Sequence, residues 1–310
     1  MQRVSKWTAL LSATLSLCFL LTKTCQLQTR EFELTRKKLD QFDANSSVST
    51  TTQITYCATL EQNFGPPPTR KELCYSPAQS ALNEENILPY KGAHQAQSAV
   101  LLCPGPTLNE FHDQVDESGT NFVTVGMNGV IFTEFVQKYG LDYFFIQDAG
   151  RGRQKKLGIE FHLRTDEYTS FRPRRQAFYG MFRTSDIGPT EEEGRKANAK
   201  RYESEYPACS QLVPLVADIG RYTFGGSCSV AMSALQFILY TGVNHLKLVG
   251  CDVHSGYAWG PNRDPSSNEK LLSMWKLVPD FVARYYPDVL VEVIRPVGLK
   301  DIFNTSLAHV

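Results

Sequence analysis

The chain has 310 residues, of which 42% are hydrophobic, and its formal net charge is zero. This size and composition are ordinary for a globular protein and allow one large α/β domain with appendages. The balanced charge excludes any global electrostatic argument for nucleic-acid binding, so no nucleic-acid partner is expected. Positive charge is concentrated between Arg151 and Arg183, where a loop either is simply solvated or handles an anionic donor or acceptor.

The N-terminus has the features of a membrane-targeting segment. Arg3 and Lys6 precede an apolar stretch from Trp7 to about Thr22, which is typical of a signal peptide or a signal anchor. Because no small-residue cleavage site follows, we predict an uncleaved anchor. Residues 1–22 would then form a cytoplasmic tip and a membrane anchor, with the rest of the chain translocated in a type II orientation. Cleavage of the signal followed by secretion is the alternative.

Two segments separate the anchor from the main domain. Residues 23–55 combine a loose helical stripe with a Ser/Thr-rich spacer, and we predict that they form a stem. Within this stem, Asn45 begins the sequon Asn-Ser-Ser and is a candidate glycosylation site. Residues 56–97 contain three consecutive prolines and two cysteines, which predicts an irregular extension packed on the main domain.

Translocation of the chain would place its cysteines in an oxidising compartment, where disulfides form. Four of them form two candidate disulfides, Cys57 with Cys74 and Cys209 with Cys228. Cys103 and Cys251 each follow a predicted core strand and are expected to be buried thiols. No cysteine or histidine spacing matches a zinc site, so no metal is predicted.

From residue 98 to residue 310, apolar strands alternate with helices. The predicted strands are 99–103, 122–128, 143–147, 245–250 and 289–294, and a buried helix is predicted over 230–240. This order is typical of an α/β fold with a Rossmann-like, doubly wound, mostly parallel sheet. We further predict loops over 150–188, a charged exposed helix over 190–206 and one amphipathic helix over 268–286.

Two glycine-containing turns are candidate anion sites. The first follows strand 99–103 and consists of Gly105, Pro106 and Thr107, with Thr107 placed to cap the next helix. The second precedes the buried helix and consists of Gly225, Gly226 and Ser227. Backbone N–H groups at a helix N-terminus favour a phosphate. For the first turn, a tight connection without any ligand is the alternative.

Polar side chains follow the other strands, at the edge where such sheets bind ligands. Asn128 suits a base, a ribose or a phosphate, or caps a helix, and Asp148 suits a ribose hydroxyl or an arginine, or a turn. Asp252 is either a simple cap or a catalytic neighbour of His254, whose imidazole can act as a general base near neutral pH. Weaker candidates for a phosphate or an acceptor are Arg151, Arg153 and Tyr222.

These motifs together resemble a glycosyltransferase family. PGPTL after the first strand, MN after the second, DYFFIQD and GGSCSVAMSALQFILYTGVNHLKLVGCD are similar to the motility-accessory-factor-type glycosyltransferases. More distantly, they resemble the bacterial CMP-sialic-acid-dependent sialyltransferases. The likeness covers about residues 98–303. It implies that Gly105, Pro106 and Asn128 contact a nucleotide, that residues 225–227 line the donor site, and that Asp252 lies beside it.

The resemblance implies a metal-independent, inverting enzyme that transfers an acidic sugar from a CMP-activated donor to a glycan acceptor, without a cofactor. With the anchor, this predicts a Golgi membrane protein whose catalytic domain, residues 98–310, is luminal. The catalytic histidine of the bacterial enzymes lies further beyond the corresponding strand, so the role of His254 is inferred from its position here. Two other classes stay open: an Mg²⁺-dependent, pyrophosphokinase-like transferase and a non-catalytic Golgi glycan-binding protein.

Overall fold

The structure is a computed structural model. It describes residues 54–62, 69–114, 122–146, 170–182, 194–195, 197–205, 212–226, 229–253, 256–258 and 265–303. These residues belong to one compact unit, Ile54–Val310. The predicted anchor, the Asn45 sequon and all of the predicted stem except residues 54 and 55 lie outside the described residues. Within the described ranges, no helix combines the length and the apolar character needed to span a membrane.

A parallel sheet forms the centre of the fold. The strands in the described part of the chain are β1 (Tyr56–Gln62), β2 (Thr69–Tyr75), β3 (Ser98–Leu102), β4 (Val123–Met127), β5 (Tyr143–Ile146), β6 (Gln176–Phe182), β7 (Ala199–Ser204), β8 (His245–Val249) and β9 (Leu290–Val293). Strands β3 to β9 form one sheet in the order β7-β6-β5-β4-β3-β8-β9. Every neighbouring pair in it is parallel. The predicted α/β fold with a parallel sheet is therefore confirmed.

Helices cover both faces of this sheet. The α-helices are α1 (Ala81–Asn86), α2 (Glu134–Tyr139), α3 (Val230–Tyr240), α4 (Pro265–Trp275) and α5 (Val278–Tyr285), and the 3₁₀ helices are Leu88–Tyr90, Pro106–Gln114 and Asn128–Phe132. Helices α3, α4 and α5 pack on the face that carries Leu101 and Phe145. Helix α2 and the second and third 3₁₀ helices pack on the face that carries Val100 and Phe144. The sheet is thus covered on both sides, as expected of parallel strands.

Helix α3 is the core helix that the sequence predicts. All of its residues are buried, and Ser229 caps its first turn by accepting a hydrogen bond from a backbone N–H of the helix. Phe237 packs against Tyr143, Phe145 and Phe178, with ring centroids 4.9 to 5.2 Å apart. Buried aromatic contacts of this kind contribute strongly to core stability. Helix α3 is therefore fixed against the middle of the sheet.

Two strands lie where the sequence predicted other structure. Strand β6 falls inside the predicted loops of residues 150–188, and β7 falls inside the predicted exposed helix of residues 190–206. Pairing with β6 buries Tyr202 and Ser204, while the charged residues Lys200, Arg201 and Glu203 stay partly exposed. Strand pairing therefore overrides the helical preference of a charged segment.

The helix predicted over residues 268–286 is two helices. Helix α4 ends at Trp275 and α5 begins at Val278, with Pro279 in the first turn of α5. Proline has no N–H to donate, so it is tolerated in a first turn and disrupts a helix interior. The position of the predicted helix is therefore nearly right, but the prediction of a single continuous helix is wrong.

The extension before the sheet is more regular than predicted. Strands β1 and β2 form an antiparallel hairpin, in which Cys57 and Cys74 lie directly opposite each other and are joined by a disulfide. The sequence predicts this disulfide, and the structure confirms it. Tyr56 packs against Tyr285 of α5, with ring centroids 5.5 Å apart. The hairpin is therefore held by a covalent bond and by contact with the main domain.

A charged network lies at the amino edge of the sheet, where the strands begin. The Asp142 carboxylate accepts hydrogen bonds from Thr124 N–H and from Nε and Nη2 of Arg174. Arg175 Nε lies 3.6 Å from the same carboxylate. Burial by itself raises the pKa of Asp142, but the bonds from Thr124 and Arg174 outweigh it and hold that pKa below its usual value. Both arginines, which belong to the predicted basic loop, therefore stabilise the amino edge.

His94 is buried beside this network. Its Nε2 lies 2.8 Å from the phenolic oxygen of Tyr143. Burial lowers the pKa of His94, and the positive charge of Arg175 lowers it further. The folded protein therefore binds a proton at His94 only at a lower pH than an unfolded chain does.

We expect the lowered pKa of His94 to make stability fall on acidification. An unfolded histidine binds a proton below about pH 6.5, whereas folded His94 stays neutral there. The contribution of His94 to the free energy of unfolding is therefore constant above that pH. Below it, this contribution declines until the folded pKa is reached, by at most about 1.4 kcal/mol per pH unit. His94→Gln should reduce this decline, because glutamine can bond to Tyr143 but does not titrate. Urea unfolding from about pH 5 to about pH 7.5 measures the effect.

The comparison at the upper end of this pH range separates two effects of the variant. Any loss of stability there reports the altered hydrogen bond to Tyr143, while the change of slope reports titration. Asp142 does not interfere, because its lowered pKa moves its own contribution to more acidic pH. Identical slopes in the two proteins would contradict the prediction.

Candidate functional site

The carboxyl edge of the sheet has a topological switch point between β3 and β8. From β3 the chain proceeds outward through β4, β5, β6 and β7, and it then returns to form β8 on the other side of β3. In open α/β sheets, ligands bind outside the carboxyl ends of the strands at such a point. The predicted residues Gly105, Pro106, Thr107 and Asp252 all follow β3 or β8 here. The fold thus brings together two motifs that lie far apart in sequence.

A disulfide joins the two strands at the switch point. Cys103 follows β3 and Cys251 follows β8, and their Cα atoms lie 4.9 Å apart. Both cysteines are buried as predicted, but they are not free thiols. Pairing of β3 with β8 brings them together although they are 148 residues apart in the sequence. A cross-link that closes so long a loop typically adds about 2–4 kcal/mol of stability. The ends of β3 and β8 therefore cannot separate without breaking a covalent bond.

The turn after β3 uses its own N–H groups. Gly105 N–H donates to Gly250 O over 2.7 Å. Thr107 N–H donates to Asp252 Oδ2 over 2.8 Å, and the Thr107 hydroxyl donates to Asp252 Oδ1. Thr107 is therefore inside the 3₁₀ helix and bonded to Asp252, and it does not cap the helix as the sequence predicted. At this turn the buried carboxylate of Asp252, 3% exposed, receives the bonds that were predicted for a phosphate.

Three glycines allow the loops at this edge to touch. A Cβ on Gly105 would lie 2.3 Å from Gly250 O, and one on Gly250 would lie 2.3 Å from Cys103 O. Gly298, in the loop after β9, approaches the backbone of Asp252 so closely that a Cβ would lie 2.2 Å from its carbonyl oxygen. Glycine is therefore required at these three positions because the backbones approach too closely to leave room for a side chain.

The loop after β8 is held to the β3 turn at a second point. Ala258 N–H donates to Pro104 O over 2.8 Å, and the Asn109 side chain donates to Ala258 O over 2.7 Å. Between the two attachments, Val253 has a φ of +57°, a strained conformation for a β-branched residue. His254, the predicted base, follows Val253 and lies outside the described residues.

Asn128 lies at the carboxyl end of β4, the neighbour of β3. Its φ is +43°, which asparagine tolerates better than most residues because its short polar side chain can hydrogen-bond locally. The residue begins a 3₁₀ helix that covers one face of the sheet. The structure thus places Asn128 one strand away from the β3 turn, at the same edge.

Gly225 is bonded within the protein core. Its N–H donates to Gln236 Oε1 over 3.2 Å, and its carbonyl accepts from Gln236 Nε2 over 2.9 Å. A Cβ on Gly225 would lie 2.0 Å from Pro214 O. Gly226 has a φ of +62°, which favours glycine. Both glycines are thus explained by packing and backbone conformation.

The two glycine turns lie beside different strands. Phe224, directly before Gly225, pairs with Ser204 at the end of β7. Because β6, β5 and β4 separate β7 from β3, this pairing lies about 19 Å from β3 at about 4.8 Å per strand. The residue before Gly225 is therefore placed beside β7, whereas Gly105 follows β3. Ser227 lies outside the described residues.

The N-terminus of α3 nevertheless lies toward the carboxyl edge. Residues 241–244 connect the end of α3 to the beginning of β8, which is at the amino edge. The helix packs along β3, β4 and β5. It has 11 residues, and it is therefore about 16 Å long, enough to run the length of these strands. Its first turn, capped by Ser229, thus directs the positive end of the helix dipole toward the edge that carries Asn128.

The remaining predicted residues lie elsewhere or outside the described ranges. Tyr222 pairs with Gln79, and its carbonyl oxygen accepts a hydrogen bond from the Asn83 side chain. This places Tyr222 against the extension. The residues that lie outside the described ranges are Asp148, Arg151, Arg153, Cys209 and Cys228.

Several residues that hold this edge together carry no functional signal in the sequence. Glu110 and Arg295 form an ion pair that joins the 3₁₀ helix after β3 to the loop after β9. Asn109 holds the loop after β8, as described above. These contacts depend on the spatial order β3-β8-β9, which no local pattern reveals. For the disulfide, the one available signal was that both cysteines follow strands in a chain predicted to be translocated.

We expect Gly105→Ala to disrupt the turn after β3. The new Cβ would lie 2.3 Å from Gly250 O and 2.5 Å from Asp252 Oδ2, and neither a backbone oxygen nor a bonded carboxylate can move away easily. Overpacking of this kind costs about 1–3 kcal/mol in the free energy of unfolding, measurable by urea unfolding. Gly194→Ala is the matched control, because its Cβ would meet its nearest neighbour at 3.5 Å. Equal losses in the two variants would contradict the prediction.

The chain was also compared with protein-family models, with curated proteins and with solved structures, and no match was found. Its function is therefore inferred from the strand ends described above and from the motifs in its sequence.

Proposed function

We propose that the chain is a metal-independent, inverting glycosyltransferase of sialyltransferase-like type, which transfers an acidic sugar from a CMP-activated donor to a glycan acceptor. The observation that carries the proposal is the meeting of three features at one edge of a parallel sheet. They are the turn after β3, Asn128 at the end of β4, and the direction of the α3 N-terminus. Sheets of this architecture bind nucleotides at this edge.

The donor is placed over β3 and β4 in this proposal. The disulfide and the Thr107–Asp252 bonds occupy the junction between β3 and β8, so the room for a nucleotide lies on the β4 side of the switch point. There, the helix dipole of α3 favours a phosphate. Asn128 follows β4 at this edge, and an amide is a group that can both donate a hydrogen bond to a ribose or a base and accept one from it.

The proposed reaction needs a base and a stabilised leaving group. His254 takes the proton of an acceptor hydroxyl as that oxygen attacks the anomeric carbon, and the bond to the CMP oxygen breaks. The positive end of the α3 dipole stabilises the charge that develops on CMP. The strained Val253 supports a functional role for this loop, because strained backbone is concentrated at functional sites.

Selective stabilisation by CMP is the first expected result. A ligand at 100 times its Kd adds about 2.7 kcal/mol to stability, or roughly 5–10 °C in Tm for a domain of this size. We expect CMP to raise the Tm of the luminal domain, and CDP, UDP and GDP to do so less, in thermal-shift assays with and without EDTA. Stabilisation by UDP or GDP and not by CMP would exclude the proposed donor. Loss of turnover in EDTA would favour the Mg²⁺-dependent, pyrophosphokinase-like alternative.

His254→Ala should lower kcat for sugar transfer by about 10²–10⁴-fold, which is the contribution of a positioned general base. Binding of CMP should persist, since the base acts on the acceptor. The matched control is His245→Ala, because His245 lies at the opposite end of β8 and pairs with Glu292. Full activity in His254→Ala would show that His254 is not the base. Absence of sugar transfer in the parent protein and in both variants would favour the non-catalytic glycan-binding alternative.

A further inference from the structure

We infer that Asp252 is a positioning residue that fixes the turn after β3 and the start of the loop after β8, and that it takes no part in proton transfer. The inference rests on the proposed function in so far as the loop carries the base of a transferase. It assigns Asp252 a role different from the catalytic one that the sequence suggested.

Both oxygens of the Asp252 carboxylate are engaged by a single residue. Thr107 N–H donates to Oδ2 over 2.8 Å, and the Thr107 hydroxyl donates to Oδ1. The residue is 3% exposed, and Gly105 and Gly298 pack against its carboxylate and its carbonyl oxygen. Hydrogen bonds to a carboxylate are stronger than those between neutral groups. The Asp252 carboxylate therefore accepts, from within the protein, the hydrogen bonds that the turn after β3 could otherwise donate to a bound anion.

The same contact orients the loop that follows. Asp252 holds the beginning of residues 253–257 against the turn after β3, and Ala258 holds their end against Pro104 and Asn109. A left-handed Val253 persists only if the surrounding structure imposes it. Fixed attachments on both sides of the loop provide that constraint. Loss of the first attachment should therefore release the strain and displace the loop.

Two substitutions of Asp252 separate positioning from proton transfer. Asp252→Asn has the same shape, and its amide can accept from Thr107 N–H while donating to the Thr107 hydroxyl oxygen. Asp252→Ala loses both bonds. A parallel pair tests the partner, because Thr107→Ser keeps the hydroxyl and Thr107→Val removes it. All four variants are made in the full luminal domain.

Hydrogen exchange at the Thr107 amide is the readout that does not depend on the proposed function. We expect its protection to fall about tenfold or more in Asp252→Ala, since a buried hydrogen bond is lost, and less than about threefold in Asp252→Asn. Equal loss of protection in the two variants would overturn the positioning role. This result stands whether or not the chain transfers a sugar.

Transfer kinetics then test the absence of a chemical role. We expect kcat/KM of Asp252→Asn to stay within about fivefold of the parent with an unchanged pH profile, and that of Asp252→Ala to fall about 30-fold or more through displacement of the loop. Asp252→Asn that keeps the protection of Thr107 but loses activity, or shifts the pH profile, would show that the carboxylate takes part in chemistry. If the parent protein binds no CMP and transfers no sugar, the proposed function fails while the exchange result still decides the positioning role.

Discussion

The junction between β3 and β8 is the constraint on which the carboxyl edge depends. Strand pairing aligns the ends of the two strands, the Cys103–Cys251 disulfide joins them, and the Thr107–Asp252 hydrogen bonds continue the connection beyond the sheet. Each connection alone is modest, since a hydrogen bond contributes about 1 kcal/mol and a disulfide about 2–4 kcal/mol. Together they remove the independent motion of two loops that are distant in sequence.

This junction also bears on where the nucleotide of the proposed function would bind. In a doubly wound sheet the switch point is the usual place for a nucleotide, but here the space between β3 and β8 holds a disulfide and a buried carboxylate. The neighbouring region above β3 and β4 has Asn128 and the positive end of the α3 dipole. In the proposed function, the phosphate is therefore placed beside the N-terminus of α3 and not at the turn after β3.

Different contacts hold the two edges of the sheet. At the amino edge, Asp142, Thr124 and Arg174 form a bonded network, and His94 is buried against Tyr143. The Asp142 carboxylate in this network is mostly buried while Arg174 is half exposed, and hydrogen bonds to a carboxylate are stronger than those between neutral groups. At the carboxyl edge, Asn128 and Val253 have left-handed backbones. Ala96 and Asn198, beside the beginnings of β3 and β7, also have left-handed backbones, so both edges of the sheet contain residues in this conformation.

The sequence by itself determined the elements whose signal is local. Strands β3, β4, β5, β8 and β9 and helix α3 were predicted close to their observed bounds, because continuous apolar runs between turn residues require burial whatever surrounds them. The Cys57–Cys74 disulfide was also predictable, since both residues lie in one short segment. For the candidate site, the sequence identified Gly105, Thr107 and Asp252 as residues at strand ends.

Only the tertiary structure decided what depends on partners distant in sequence. Strand β7 forms because β6 pairs with it, although the charged composition of β7 favours a helix. Cys103 and Cys251 are bonded because β3 and β8 are adjacent. Asp252 appears in the sequence as a carboxylate with any of several roles. Its engagement by Thr107 follows from a register across 145 residues of chain, and that contact changes its expected role from chemistry to support.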